Sequence, residues 1–189
     1  MDTVTAYQKR IRQLDWKGLR KLWQQILSPD SVQERGDRES WERGKALEYL
    51  VLRAFELDGA QVRWPYDVRD GHQVLEQIDG AVYAGGLACL VECKDTGKPI
   101  NVEPIAKLWT LLHRRPPGVV GLIFSRSGYT APALTLTHTL VPRSILLWSG
   151  EEVAHVLERE NAAEALALKY RHCVEHAVAD YDVREVGIP

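Results

Sequence analysis

Asp79, Glu92 and Lys94 are side chains fit for metal and proton chemistry, and they fall close together in the middle of this sequence, with Gln77 two residues before Asp79. Between them, Gly85-Gly86 is a two-residue turn signal flanked by apolar runs that predict strands over 76–84 and 87–94. A hairpin closed there sets Ala84 opposite Leu87, Asp79 opposite Glu92 and Gln77 opposite Lys94. The last four share one face because strand side chains alternate. Opposed Cβ atoms lie about 4.5–5.5 Å apart. Two carboxylates at that spacing repel one another, and apolar strands add a desolvation penalty. A divalent cation removes both penalties. Two carboxylates, one backbone carbonyl (that of Cys93) and several waters suit Mg²⁺ or Mn²⁺, which take oxygen ligands and keep part of their water shell. Such an ion lowers the pKa of bound water and polarises a phosphoryl oxygen. Lys94 would orient that water or stabilise charge on the phosphate. The competing arrangement is a buried salt bridge in which Lys94 satisfies both carboxylates, and one negative charge is then left over. A bulge would move Asp79 to the other face.

The elements around this pair can be read from periodicity. Ile11, Leu14, Leu19, Leu22, Trp23 and Ile26 recur at helical spacing over 3–27, which predicts one or two helices. Residues 28–37 are polar, contain Pro29 and Gly36, and read as a loop or linker. A helix should run from 39 to 57 and stop at Gly59. A short strand at 60–66 precedes the hairpin. The run LACLVECK is apolar on both faces until Glu92, as expected of a strand buried on both sides. A helix over 102–115 ends at Pro116-Pro117-Gly118, followed by a buried strand over 119–125, a helix over 131–140 and a strand over 144–148. Ser149 is placed to cap a last helical stretch, interrupted near Asn161 and running to about 179. Strands alternating with helices imply parallel, right-handed crossovers. The expected fold is α/β, a three-layer sandwich with a mixed sheet between helices. The expected division is an N-terminal helical arm and linker over 1–38 and a main domain over 39–189.

Composition bounds the partners. The chain has 189 residues and a net charge of −2, so its surface is not uniformly basic. The distribution is uneven. Residues 1–24 and 94–126 each carry six Lys/Arg against two Asp/Glu, while 151–189 carry four against nine. Three cysteines, Cys89, Cys93 and Cys173, lack ligand spacing and suit a reducing compartment. No apolar run reaches the roughly 20 residues that span a bilayer, and no signal core opens the chain. A cytoplasmic protein without a membrane partner is expected. Neither a Gly-x-Gly-x-x-Gly nor a Gly-x-Ser-x-Gly motif is present, so dinucleotide or serine-hydrolase chemistry has no support.

Asp79 followed on the next strand by Glu92-Cys93-Lys94 resembles the PD-(D/E)xK nuclease signature, with Ile78 where that signature often has Pro. Gly44-Lys45-Ala46-Leu47-Glu48 resembles the Gly-x-x-x-Glu on the first core helix of the Mrr-like restriction endonucleases, and VVGLIFSRSGYTAPA resembles their fourth strand and following helix. The resemblance covers about 40–158. It implies a restriction-endonuclease-like fold and a metal-dependent endonuclease hydrolysing DNA phosphodiester bonds, with RNA as an open alternative. It also implies Mg²⁺ or Mn²⁺ as cofactor and Glu48 as a contributor to the metal site beside Asp79, Glu92 and the Cys93 carbonyl. Read from its helix alone, Glu48 is a boundary residue. Double-strand cutting would call for a homodimer or higher oligomer. Two other readings stand beside this one: a nucleic-acid-binding or assembly subunit with an idle nuclease fold, and a Holliday-junction-resolvase-like nuclease.

Other residues are open to two readings each. Gln77 could bond a metal-bound water or Lys94, or end a solvated strand. Lys107 could face the site or solvent. His113-Arg114-Arg115 could touch phosphates or close a helix end. Ser125, Ser127 and Tyr129 stand where substrate could be contacted. Cys93 reads as a small core residue. His138, His155, His172 and His176 show no acid partner. Trp16, Trp23 and Trp41 could dock the arm or a second subunit.

Overall fold

The computed structural model describes residues 3–28, 41, 44–139 and 145–185. Helices α1 (Thr3–Ile11) and α2 (Trp16–Leu27) lead to α3 (Lys45–Leu57). Strands β1 (Gln61–Arg63), β2 (Tyr66–Asp70), β3 (Gln73–Ile78), β4 (Gly80–Ala84) and β5 (Leu87–Lys94) follow. Then come α4 (Val102–His113), β6 (Val119–Ser125), α5 (Ala131–Thr139), β7 (Ile145–Ser149), α6 (Gly150–Arg159) and α7 (Ala162–His176). The expected linker over 28–37 lies almost wholly outside the described residues. The helix expected from 39 is described from Lys45.

The main sheet has the order β1-β4-β5-β6-β7. Its first three strands are antiparallel and its last three parallel, which is the mixed sheet that the crossovers demanded. Gly85 and Gly86 both take positive φ, 57° and 81°, as a type I′ turn requires. The hairpin register is the expected one, with Ala84 opposite Leu87 and Gly80 opposite Val91.

Two differences matter. The strand expected over 76–84 breaks at Asp79: β3 leaves the sheet and pairs with β2 instead. Gln77 therefore faces Asp67, not Lys94. The segment 66–70 was not expected as a strand. Its polar residues hide the period, and the turn that closes the hairpin is Gly71-His72, between the paired Asp70 and Gln73.

Alternating side chains give the sheet two cores. Val91, Cys93, Leu122, Phe124 and Trp148 face α3, α6 and α7, where α1 and α2 also pack through Ile11, Leu19, Leu22 and Trp23. Leu90, Ile123, Ile145 and Leu147 face α4 and α5 on the other side. The N-terminal helices thus share a core with the sheet. Tyr7 stacks on Trp41 at 5.2 Å, and Tyr49 of α3 stacks on Trp64 at 5.5 Å. Trp41 and Trp23 are buried in that docking. Ser149 caps α6 in a capping box with Glu152. Among the described residues no helix is long and apolar enough to cross a membrane.

Candidate functional site

The step between β3 and β4 creates the site. The rungs of the β4–β5 ladder end at Gly80 and Val91, while β5 continues to Lys94. Beyond the last rung, Asp79 supplies a side chain in place of backbone, and its Oδ2 accepts the Cys93 N–H at 2.8 Å. In extended backbone the N–H and C=O of one residue point to the same side, so the Cys93 carbonyl is directed toward the same edge. Gly80 lets this step sit tight under α3, because a Cβ there would meet Leu52 at 2.6 Å.

Two layers send further carboxylates to the step. From β5, Glu92 is 1% exposed, yet its Oε1 meets Lys94 Nζ at 2.6 Å and Lys107 Nζ, from α4, at 3.1 Å. From α3, Glu48 is buried and pairs with Lys45 Nζ at 2.7 Å. The three acids feel one another. Burial, then the charge of Glu92, holds the Asp79 carboxyl above its usual range despite the Cys93 N–H. Burial, then the charge of Asp79, pushes Glu48 up to about 7. Burial works against a charged Lys94, but the hydrogen bond and charge of Glu92 prevail and raise its pKa.

A salt bridge is present, but in a different form from the competing arrangement. Lys94 binds Glu92 and not Asp79, and a second lysine shares the same carboxylate. Lys107 turns its ammonium toward the site, one of the two orientations open to it. Gln77 is exposed on the hairpin. The hydroxyls of Ser125, Ser127 and Tyr129 are committed inside the protein. Ser125 donates to the Gly128 carbonyl, Ser127 to the Thr96 carbonyl, and the Tyr129 hydroxyl lies 2.7 Å from the Ile123 carbonyl. Arg114 and Arg115 close on Glu76 at 2.7 and 2.5 Å, so the basic cluster holds the β2–β3 hairpin to the end of α4. His138 does have an acid partner, Asp180, at 2.8 Å. It escaped notice because the two are far apart in sequence. Cys93 is buried and its thiol is pushed well above the usual range, first by burial, which leaves it inert as a nucleophile.

Sequence reasoning passed over Lys45, Asp95 and Arg126. Lys45 stands three residues before Glu48, a helical i,i+3 pair that spacing alone could have shown. Asp95 and Arg126 meet in an ion pair across two strand ends, which no local spacing reveals.

Among the described residues no three His, Cys, Asp or Glu groups already converge as metal ligands. The donor set still fits a hard cation. It is all oxygen, and burial with a neighbouring acid raises Asp79 and Glu48, a cost that a divalent ion relieves.

No curated protein matches this chain. The crystal structure of AF1548, a protein of unknown function, aligns at 20% identity over 75% of this chain and 88% of its own, with a TM-score of 0.43. MspJI restriction endonuclease in complex with a 27-mer oligonucleotide aligns at 15% identity over 88% of this chain and 36% of its own, with a TM-score of 0.42. The DNA modification-dependent restriction endonuclease AspBHI aligns at 10% identity over 86% and 37%, with a TM-score of 0.31. This chain therefore spans a little over a third of each of those two enzymes. The restriction endonuclease model Mrr_cat matches residues 40–157, more than half of the chain, and takes in Glu48, Asp79, Glu92 and Lys94. With that match, and with a mixed sheet between two helical layers, the chain belongs to the Mrr-type restriction endonuclease family.

Proposed function

We propose that the protein is a metal-dependent endonuclease that hydrolyses phosphodiester bonds in DNA. The observation that carries this reading is Asp79 at a step in the sheet, where the charge of Glu92 raises it, its own charge raises Glu48, and Lys94 adjoins Glu92. Asp79, Glu92, Glu48 and the Cys93 carbonyl would hold Mg²⁺ or Mn²⁺, which supplies an acidified water and polarises a phosphoryl oxygen.

The chain's own groups do the rest. Asp79 is oriented by the Cys93 N–H, which fixes its Oδ2. Glu92 anchors Lys94, whose ammonium then positions the attacking water and stabilises negative charge developing on phosphorus-bound oxygen. Lys107 has its side chain about half exposed and can exchange Glu92 for a phosphate oxygen. Residues 1–38 serve as the arm of a nuclease unit over 39–189, and two copies would cut both strands.

The test is cleavage of plasmid and oligonucleotide DNA, with RNA alongside, at varied Mg²⁺ and Mn²⁺. Metal-dependent cutting that Asp79→Ala and Lys94→Ala abolish is expected. A wild type inert on every substrate, or variants that still cut, would sink the reading. DNA binding without metal dependence would point instead to an idle nuclease fold.

A further inference from the structure

Glu48, Asp79 and Glu92 come from separate elements, so their spacing depends on how α3 is held against β5. The rim of β5 and β6 is stitched by backbone. Arg126 N–H donates to the Lys94 carbonyl at 3.2 Å, Ile100 N–H to Gly128 and Thr130 N–H to Ile100, each at 3.0 Å. Asp95 follows Lys94 directly, and its side chain is 3% exposed. One of its oxygens takes the Arg126 Nε–H. The other accepts the Gly44 N–H at 3.3 Å.

Gly44 is the residue from which α3 springs, and its carbonyl accepts the Glu48 N–H at 3.1 Å. A helix start leaves its first N–H groups without partners and favours a negative charge beside it. Asp95 meets both needs. It joins the Glu48 helix to the Glu92–Lys94 strand through one carboxylate, and Arg126 holds that carboxylate in place.

We propose that Asp95 and Arg126 are a positioning pair that sets Glu48 against Asp79 and Glu92, and so tunes the metal affinity of the site without touching metal or DNA. The inference rests on the nuclease reading above. Partners that orient metal ligands typically change affinity by about 10- to 100-fold when removed.

The experiment titrates full-length protein with Mn²⁺ by calorimetry, without DNA, and measures cleavage against Mg²⁺ concentration. Asp95→Ala and Asp95→Asn are compared with wild type. Asn keeps an acceptor for Gly44 but loses the charge that holds Arg126. Glu152→Gln is the control, because it breaks a buried ion pair elsewhere in the core. Asp95→Ala should weaken Mn²⁺ binding about tenfold or more and shift the Mg²⁺ midpoint alike, with the rate at saturating Mg²⁺ within a few-fold of wild type. Asp95→Asn should fall between the two, and it carries the test if the alanine variant fails to fold. Glu152→Gln should lower the melting temperature and leave Mn²⁺ affinity alone. Asp95 variants that bind Mn²⁺ like wild type overturn the inference, as does a Glu152→Gln that weakens Mn²⁺ equally. A wild type that neither binds Mn²⁺ nor cuts overturns the nuclease reading and this inference with it.

Discussion

The buried charges behind the sheet and those at the Asp79 step are built in opposite ways. Behind the sheet, Glu152 and Lys169 form a closed pair. Lys169 is fully buried, meets Glu152 Oε1 at 2.7 Å, donates to the Tyr181 carbonyl, and lies 5.0 Å from the centre of the Trp148 ring. Glu152 also accepts the N–H groups of Ser149 at 2.9 Å and Val183 at 3.1 Å. One charge faces one charge, and the donors around them come from α6, α7 and the tail. At the Asp79 step, Asp79 lies between the charges of Glu48 and Glu92, Lys45 pairs with Glu48, and two lysines crowd Glu92. Lys94 and Lys107 stay 31% and 52% exposed in their side chains. A saturated pair with no way in holds the fold together. An unsaturated cluster with exposed cations and buried anions is arranged to exchange partners.

Removing groups from each region should separate the two roles. At the step, Asp79→Asn or Lys94→Met should slow cleavage on the order of 10³- to 10⁴-fold, about 4–5.5 kcal/mol of transition-state stabilisation. The melting temperature of Asp79→Asn should hold or rise, since one repelling charge is gone. Single-turnover cleavage and thermal melts of the same samples check both. Behind the sheet the signs reverse. Lys169→Met leaves Glu152 buried without its cation and should destabilise by roughly 3 kcal/mol or more. Adding Glu152→Leu should recover much of that loss, and cleavage per folded molecule should stay at the wild-type level. Denaturant titration of the single and double variants reads this. A Lys169→Met that folds as well as wild type would erase the contrast.

The difference between the regions also explains what could be read from sequence. The hairpin register down to Gly80–Val91 and the shared face of Glu92 and Lys94 were legible because a glycine turn and a strand period of two fix them locally. The parallel half of the sheet was legible for the same reason, since VVGLIFS and SILLW are buried runs between helices. The step at Asp79 was not. The residues on either side of it look like one continuous strand, and the break depends on β2, whose polar residues gave no signal. The Glu152–Lys169 and Asp95–Arg126 pairs were illegible in kind, because each joins elements that meet only in the finished fold. Glu48 falls between these cases. Its helix read correctly, but its inward turn toward Asp79 was supplied by the family resemblance, not by spacing.

Burial of Glu48 beside Asp79 should also appear as a pH dependence of stability. Glu48 titrates at about 7 in the folded protein instead of the usual 4.5. Between those values the native state keeps a proton that the unfolded chain has released, so stability falls as pH rises through this window. The slope contributed is at most about 1.4 kcal/mol per pH unit. Metal-free protein melted from pH 4.5 to 8 should show the fall, and Glu48→Gln should flatten it. A wild-type curve as flat as that of Glu48→Gln would mean that Glu48 is ionised throughout and that the three acids do not compete.

The smallest effect is expected where buried and exposed charge meet. Glu76 is buried on the hairpin, and its two arginines differ in their surroundings: Arg115 is 19% exposed in its side chain and Arg114 is 58% exposed. Burial alone would raise the Glu76 carboxyl, yet Arg115 and then Arg114 bring it below the usual range. An exposed partner gains little over water and is screened by salt, so Arg114→Ala should cost at most about 1 kcal/mol, and less in high salt. Arg115→Ala should cost more, because the acid it leaves is buried and its own side chain is largely shielded. The order of the two variants in denaturant, at low and high salt, decides the matter. Equal losses would mean that the arginines share Glu76 evenly, and that burial of the cation does not set the strength of a rim contact here as it does behind the sheet.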